Sequence, residues 1–245
     1  MYKVISSSLP IHDAVGKVTG EIEYTGDIKL SNMVYGKLVL STIPHGKVTS
    51  IDKTEALAVE GILGVLTYED FPSTKYNSAL RFKDRDIIKS ETVLSQEVHF
   101  VGDRVAVVAE TQKIAEKAAK LVKVFYEEYP AVFDEEGALK EGAPVLHEGL
   151  MAGNNVLTIN AGASEEEMEK GFAEADFIFE DKVKIPMVSQ VPMENHTVIG
   201  DYKMGKMTIY TSKQNSFAVR VLASDVFEMP LNKVRIIQPT LGGSF

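Results

Sequence analysis

The run Arg104-Val-Ala-Val-Val-Ala109 constrains the fold more than any other stretch, because five successive apolar residues leave no polar face for water. The strand it predicts is a central one. Thr111 follows as a helix cap, and Ile114, Ala118, Leu121 and Val122 then recur at the spacing of a stripe packed on a sheet. Val122 to Tyr129 returns as an extended segment. The expected core of this unit includes Val105, Val107, Ile114, Leu121 and Val122, and its class is α+β.

Upstream, residues 1–33 are polar and punctuated by glycine, and read as an arm with turns. Val34 to Thr42 is β-branched and partly alternating, a strand with one buried face. Asp52 caps a short helix through Glu60, Gly61 ends it, and Ile62 to Thr67 returns as a strand. Residues 71–90 read as an exposed loop. From Glu127 to Asn160 apolar periodicity fades into Glu, Gly, Pro and Asn, which marks a linker. The expected division is an arm and first domain over 1–130, a linker over 131–163 and a second domain over 164–245.

In the second domain, Ser164 and Glu167 form a capping box that opens a helix to about Ala175. Phe177 to Ile185 alternates as a strand, and Lys206 to Ser212 is another. Ser216 to Glu228 carries the helical stripe Val219, Leu222, Ala223, Val226, and Pro230 stops it. In the last stretch, Lys233 to Phe245, an apolar strand-like run empties into the glycine pair Gly242-Gly243, whose N–H groups can approach an anion or a metal-bound oxygen closely.

Composition excludes several classes. A net charge of -9 with a pI near 5.2 argues against nucleic-acid and anionic-membrane surfaces. The absence of Cys removes disulfides, thiolate iron–sulfur ligation and a Cys nucleophile. No run approaches membrane-spanning length and the start carries no leader pattern, so a cytoplasmic location is expected. Glu194 and His196 alternate on one strand-like face, but two ligands without a third make a poor metal site, and a buried hydrogen-bonded polar pair is the preferred reading. His45 is read as a surface histidine. No metal-ligand set and no catalytic residue is assigned within this chain.

Two polar clusters flanked by apolar residues remain, Ser189-Gln-Val-Pro-Met-Glu-Asn-His196 and Thr211-Ser-Lys-Gln-Asn215. With Arg220, Pro230 to Arg235 and Gly242-Gly-Ser-Phe245, they resemble the start of the molybdenum-cofactor-binding portion of xanthine dehydrogenase and aldehyde oxidase large subunits. Upstream, Lys17-Val-Thr-Gly20, Pro44-His45, Gly61 to Val65 and Val101 to Val108 resemble the α/β hammerhead domain that precedes it. The resemblance covers nearly the whole chain. It implies a hammerhead domain followed by a partial mixed α/β molybdopterin-binding domain.

For function, the resemblance implies hydroxylation of a heterocycle or an aldehyde with water-derived oxygen at a molybdenum–molybdopterin dithiolene centre. Partners would be the remaining molybdenum-subunit polypeptide and iron–sulfur and FAD subunits or domains, with a small-molecule substrate. Gln190, Gln214, Gly242, Gly243 and Phe245 are the implied cofactor-binding residues. The family glutamine falls at Val188 and Gln190 is the nearest one, while Gln214 lies in a turn where its amide could instead satisfy local backbone. Ser244 stands where the family has a third Gly, and the Gly expected after Phe245 is absent. The general base and most pterin contacts lie further on in the family, so the chain alone is expected to hold no cofactor and to be inactive. Two other readings stay open, a non-catalytic assembly module and an unrelated α+β protein that binds a small anion.

Overall fold

The computed structural model of the chain describes residues 5, 8–78, 89–109, 111–146 and 162–244, with the backbone alone at 105–109. Its elements in order are α1 (Ala14–Thr19), β1 (Tyr35–Leu40), β2 (Gly46–Asp52), α2 (Thr54–Leu57), β3 (Ile62–Leu66), β4 (Glu97–Val98), β5 (Arg104–Ala109), α3 (Gln112–Ala119), β6 (Lys123–Glu128), α4 (Glu135–Leu139), α5 (Glu165–Ala173), β7 (Val198–Lys203), β8 (Lys206–Thr211), α6 (Ser216–Val226) and β9 (Val234–Ile237). The class is α+β.

The apolar strand β5 is central, as its composition requires: it pairs antiparallel with β1 on one side and β3 on the other. The side chains of Val105 and Val107 lie outside the described residues. Helix α3 begins where Thr111 Oγ1 accepts the Ile114 N–H at 3.3 Å, and it buries Ala115 and Ala118. Ala56, Val65, Ala118 and Val122 form one core cluster, to which Leu121 contributes a partly buried face. Ile114 stays outside it, because the small Ala side chains let the helix approach the sheet closely and place the buried line through positions 115 and 118.

A second sheet, ordered β4-β2-β6 and antiparallel throughout, packs around Ile43, Val48 and Val98. Ile51 and Val124 touch both clusters, so the two sheets share one core. Asp103 ties the strand junctions together: it is buried, its Oδ1 accepts the Ser95 hydroxyl at 2.9 Å and the Arg104 N–H at 3.0 Å, and its carbonyl accepts the Ser41 N–H at 2.7 Å. His45 is half-buried rather than a free surface residue, with Nδ1 2.6 Å from the Pro130 carbonyl and its ring edge-on to Tyr129.

The third sheet has the order β7-β8-β9, with β7 antiparallel and β9 parallel to β8. Helix α6 makes the crossover between the two parallel strands, capped by Asn215, whose Oδ1 accepts the Ala218 N–H at 3.1 Å. Ile209, Ala223 and Val234 form its core. The predicted stripe on α6 divides: Ala223 and Val226 are buried, whereas Val219 and Leu222 are partly exposed. Arg220 locks the crossover, its guanidinium donating to the Leu231 carbonyl at 2.7 and 3.1 Å and to the Val234 carbonyl at 2.9 Å. The N-terminal arm reaches this sheet through an isolated parallel bridge between Tyr24 and Thr240.

One predicted element is absent. Phe177 to Ile185 belongs to no sheet, and its residues are exposed. The alternation is real, yet a strand needs a neighbour to satisfy its N–H and C=O groups, and none of the described residues supplies one. The capping box at α5 forms as expected, Ser164 Oγ accepting the Glu167 N–H at 3.2 Å and Glu167 Oε2 accepting the Ser164 N–H at 2.8 Å. That helix buries none of its residues.

Candidate functional site

Parallel strands β8 and β9 end on the same side of their sheet, and the loops that leave them run together. In open α/β sheets this is where ligands bind, because the loops diverge around a crevice that the next helix N-terminus faces. Here Ser212–Asn215 leaves β8 for α6, and Leu241–Gly243 follows β9. A third segment, Gln190–Thr197, lies against both. They enclose a cleft of 1090 Å³, to which Leu38 and Ser78 are added from the first unit.

Four of the five sequence-predicted residues, Gln190, Gln214, Gly242 and Gly243, line this one cleft. Phe245 lies outside the described residues. Gln190 and Gln214 are both exposed to it, and neither side chain is hydrogen-bonded to another described residue. Gln214 therefore does not spend its amide on a local turn among them. Each amide offers two donors and one acceptor to whatever occupies the cleft.

The glycine loop departs from the sequence reading. The Gly242 N–H is not open to a ligand, because it donates to Glu194 Oε2 at 2.6 Å. Nor is a glycine needed at 242 for positive φ, which that residue does not adopt. A Cβ there would sit 2.5 Å from Glu194 Cβ and 2.7 Å from Oε2, so glycine is required by close approach. Glu194 Oε1 is buried without a partner. The Glu194–His196 pair does not form as expected: Glu194 is the loop's anchor and His196 is exposed. Sequence reasoning missed this role because the two ends of the contact are 48 residues apart, and no local pattern announces it.

No group of three or more His, Cys, Asp or Glu able to hold a metal ion occurs among the described residues. No helix among them is long and apolar enough to cross a membrane. A smaller hollow of 380 Å³ around Arg220 and Asn232 contains none of the predicted residues.

A sheet with a cleft at the carboxyl ends of two parallel strands, walled by the Gln190 and Gln214 amides and a glycine loop, defines an α+β protein with a candidate ligand site. The particular family follows from comparison. Residues 19–130 match the "aldehyde oxidase and xanthine dehydrogenase, a/b hammerhead domain", and residues 147–245 match the "molybdopterin cofactor-binding domain". The chain belongs to the xanthine dehydrogenase and aldehyde oxidase family, of whose molybdenum-binding subunits it represents the N-terminal region. It is 33% identical to the xanthine dehydrogenase molybdenum-binding subunit of Escherichia coli O157:H7, covering 95% of this chain and 31% of that one. It is 30% identical to the nicotinate dehydrogenase large molybdopterin subunit of Eubacterium barkeri, covering 100% of this chain and 55% of the relative. Among solved structures, the aldehyde oxidoreductase of Desulfovibrio gigas superposes with a TM-score of 0.84 at 25% identity, over 98% of this chain and 27% of that one. The chain thus spans less than a third of the xanthine dehydrogenase subunit and of the aldehyde oxidoreductase.

Proposed function

We propose that this chain supplies the hammerhead domain and one wall of the cofactor cleft of a molybdenum hydroxylase that inserts water-derived oxygen into a heterocycle or an aldehyde. The observation that carries the reading is the convergence of Gln190, Gln214, Gly242 and Gly243 on one cleft from three separate segments. A molybdenum–molybdopterin group fits what is present. It brings its own sulfur ligands to the metal, so the protein need only offer donors and acceptors to oxo and pterin atoms, and the free amides and backbone of this cleft are of that kind. When bound, that group would supply the Lewis acidity and the two-electron acceptor for hydroxylation.

The chain's own residues have a positioning role. Gln190 and Gln214 hold hydrogen-bonding groups toward the cleft, and Glu194 sets the height of the Gly242 loop above it. Gly243 carries the loop onward along the cleft. We assign the proton-accepting base to the part of the subunit not spanned here, so the chain on its own is inactive. Within the chain we assign residues 1–130 to the arm and hammerhead domain, 131–163 to the linker and 164–245 to the cofactor-binding portion. Iron–sulfur and FAD subunits or domains complete the electron path, and the whole works in the cytoplasm. The named relatives include xanthine and nicotinate dehydrogenases and an aldehyde oxidoreductase, so family membership does not select the substrate.

The test is elemental analysis of the assembled enzyme isolated from its source cell, with oxidation of purines, nicotinate and aldehydes in ¹⁸O-labelled water. Stoichiometric molybdenum and labelled product are expected, with neither metal nor turnover in this chain alone. An assembled enzyme free of molybdenum would overturn the reading.

A further inference from the structure

Phe177 to Met187 is the most water-exposed apolar segment of the described structure. Phe177, Phe179, Val183, Ile185 and Met187 alternate on one face, with Asp181 the single polar member, while Ile178, Glu180, Lys182, Lys184 and Pro186 occupy the other. Phe179 is 91% exposed and Ile185 81%. Among the described residues, the backbone from 177 to 193 makes no hydrogen bond to other backbone. Its few bonds are local, such as the Lys182 N–H to Asp181 Oδ1 at 2.8 Å, and Lys182 also pairs with Glu136 of α4. The preceding helix α5 leaves Met168 and Phe172 exposed in the same way.

A two-faced pattern of this kind is that of a strand with one side against a core, and leaving it bare exposes both apolar area and a full row of backbone donors. We propose that Phe177–Met187 is a β-strand completed by a strand from the part of the molybdenum subunit that corresponds to the length of the relatives not spanned here, on the same polypeptide or another. This inference rests on the reading given under Proposed function. The unspanned length is large: this chain covers 31% of the Escherichia coli relative and 27% of the Desulfovibrio gigas aldehyde oxidoreductase.

Charge disfavours only a parallel second copy, which would stack every like charge. Antiparallel self-pairing centred on Lys182 sets Lys182 against itself but Glu180 against Lys184, so the unspanned length of the relatives carries the choice of occupant. Proline also fixes which edge is used. Alternate residues direct their N–H and C=O groups to opposite edges, and Pro186 removes a donor from the edge shared by residues 178, 180, 182 and 184. The partner strand therefore pairs along the edge of residues 177, 179, 181, 183, 185 and 187.

Hydrogen exchange on the chain alone and in the assembly from its source cell, its partner identified by mass spectrometry, tests this. The amides of 179, 181, 183, 185 and 187 should exchange freely in the chain alone and be slowed at least about 100-fold in the assembly. Phe179→Asp and Ile185→Asp should abolish assembly without changing the chain's circular dichroism or melting temperature, whereas Lys184→Glu on the other face should assemble normally. An assembly that forms with 177–187 unprotected would overturn this proposal alone. Protection of the isolated chain that grows with its concentration would make a second copy the occupant and overturn it too. If no such assembly exists, the underlying reading fails with it.

Discussion

The Gly242 N–H donates to Glu194 Oε2 at 2.6 Å, so the loop after β9 is hung on a carboxylate 48 residues earlier in the chain. That contact decides how two substitutions differ. Glu194→Ala removes a charge-assisted bond of about 1.5–3 kcal/mol, but it also removes Oε1, a buried acceptor without a partner whose burial costs about 1–3 kcal/mol. The two nearly cancel. Gly242→Ala instead forces a Cβ to 2.5 Å from Glu194 Cβ, close to the backbone where little can yield, and costs about 1–3 kcal/mol. Urea unfolding should rank Gly242→Ala as the more destabilised, with both variants speeding hydrogen exchange at 241–243. The reverse order would mean that the glycine is an ordinary turn.

Arg220 provides a second test. Its guanidinium satisfies two carbonyls beyond α6 with three hydrogen bonds, a geometry that one ammonium cannot copy. Arg220→Lys should cost about 1–2 kcal/mol and Arg220→Ala about 2–4 kcal/mol, since the carbonyls of Leu231 and Val234 lose their donor. Lysine as good as arginine in chemical denaturation would show that only the charge matters.

Acid should weaken the fold through its helix and turn caps. The Asp52, Asp70 and Glu167 carboxyls are each held below their usual range, chiefly because they accept backbone N–H groups, from Thr54, Thr67 and Ser164 respectively. A folded-state value below the unfolded one gives stability that is present above the unfolded value and lost as pH falls through the folded one. The urea midpoint should therefore drop as pH falls through and below the ordinary carboxylate range, and Asp52→Asn with Asp70→Asn should flatten that drop. An unchanged pH profile in the double variant would remove these caps from the account.

Limited proteolysis tests the domain division. The first two sheets share a core through Ile51 and Val124, and the third sheet has its own around Ile209, Ala223 and Val234. The first cut should fall within 131–163. A first cut within 101–126 would open β5, α3 and β6 and refute the division.

Much of this protein was determined by the sequence alone. The apolar run of β5 demanded a central strand, the caps at Thr111 and Ser164 placed two helix starts, and the polar clusters around Gln190 and Gln214 marked two walls of the cleft. These are local properties, written within a few residues of where they act. β2 and β7 were not legible, because Gly46–Asp52 and Val198–Lys203 mix Gly, charge and β-branched residues, and become strands through pairing with β6 and β8. Phe177–Ile185 is the converse case, a strand by pattern that no described neighbour pairs. Only the tertiary structure decided that Gly242 serves close packing rather than positive φ, that its N–H belongs to Glu194, and that Val219 and Leu222 line the cleft while Ala223 and Val226 fill the core. Each of these depends on what distant segments bring to the same place. A residue's own chemistry states what it can bond to, and the fold selects which partner comes within reach.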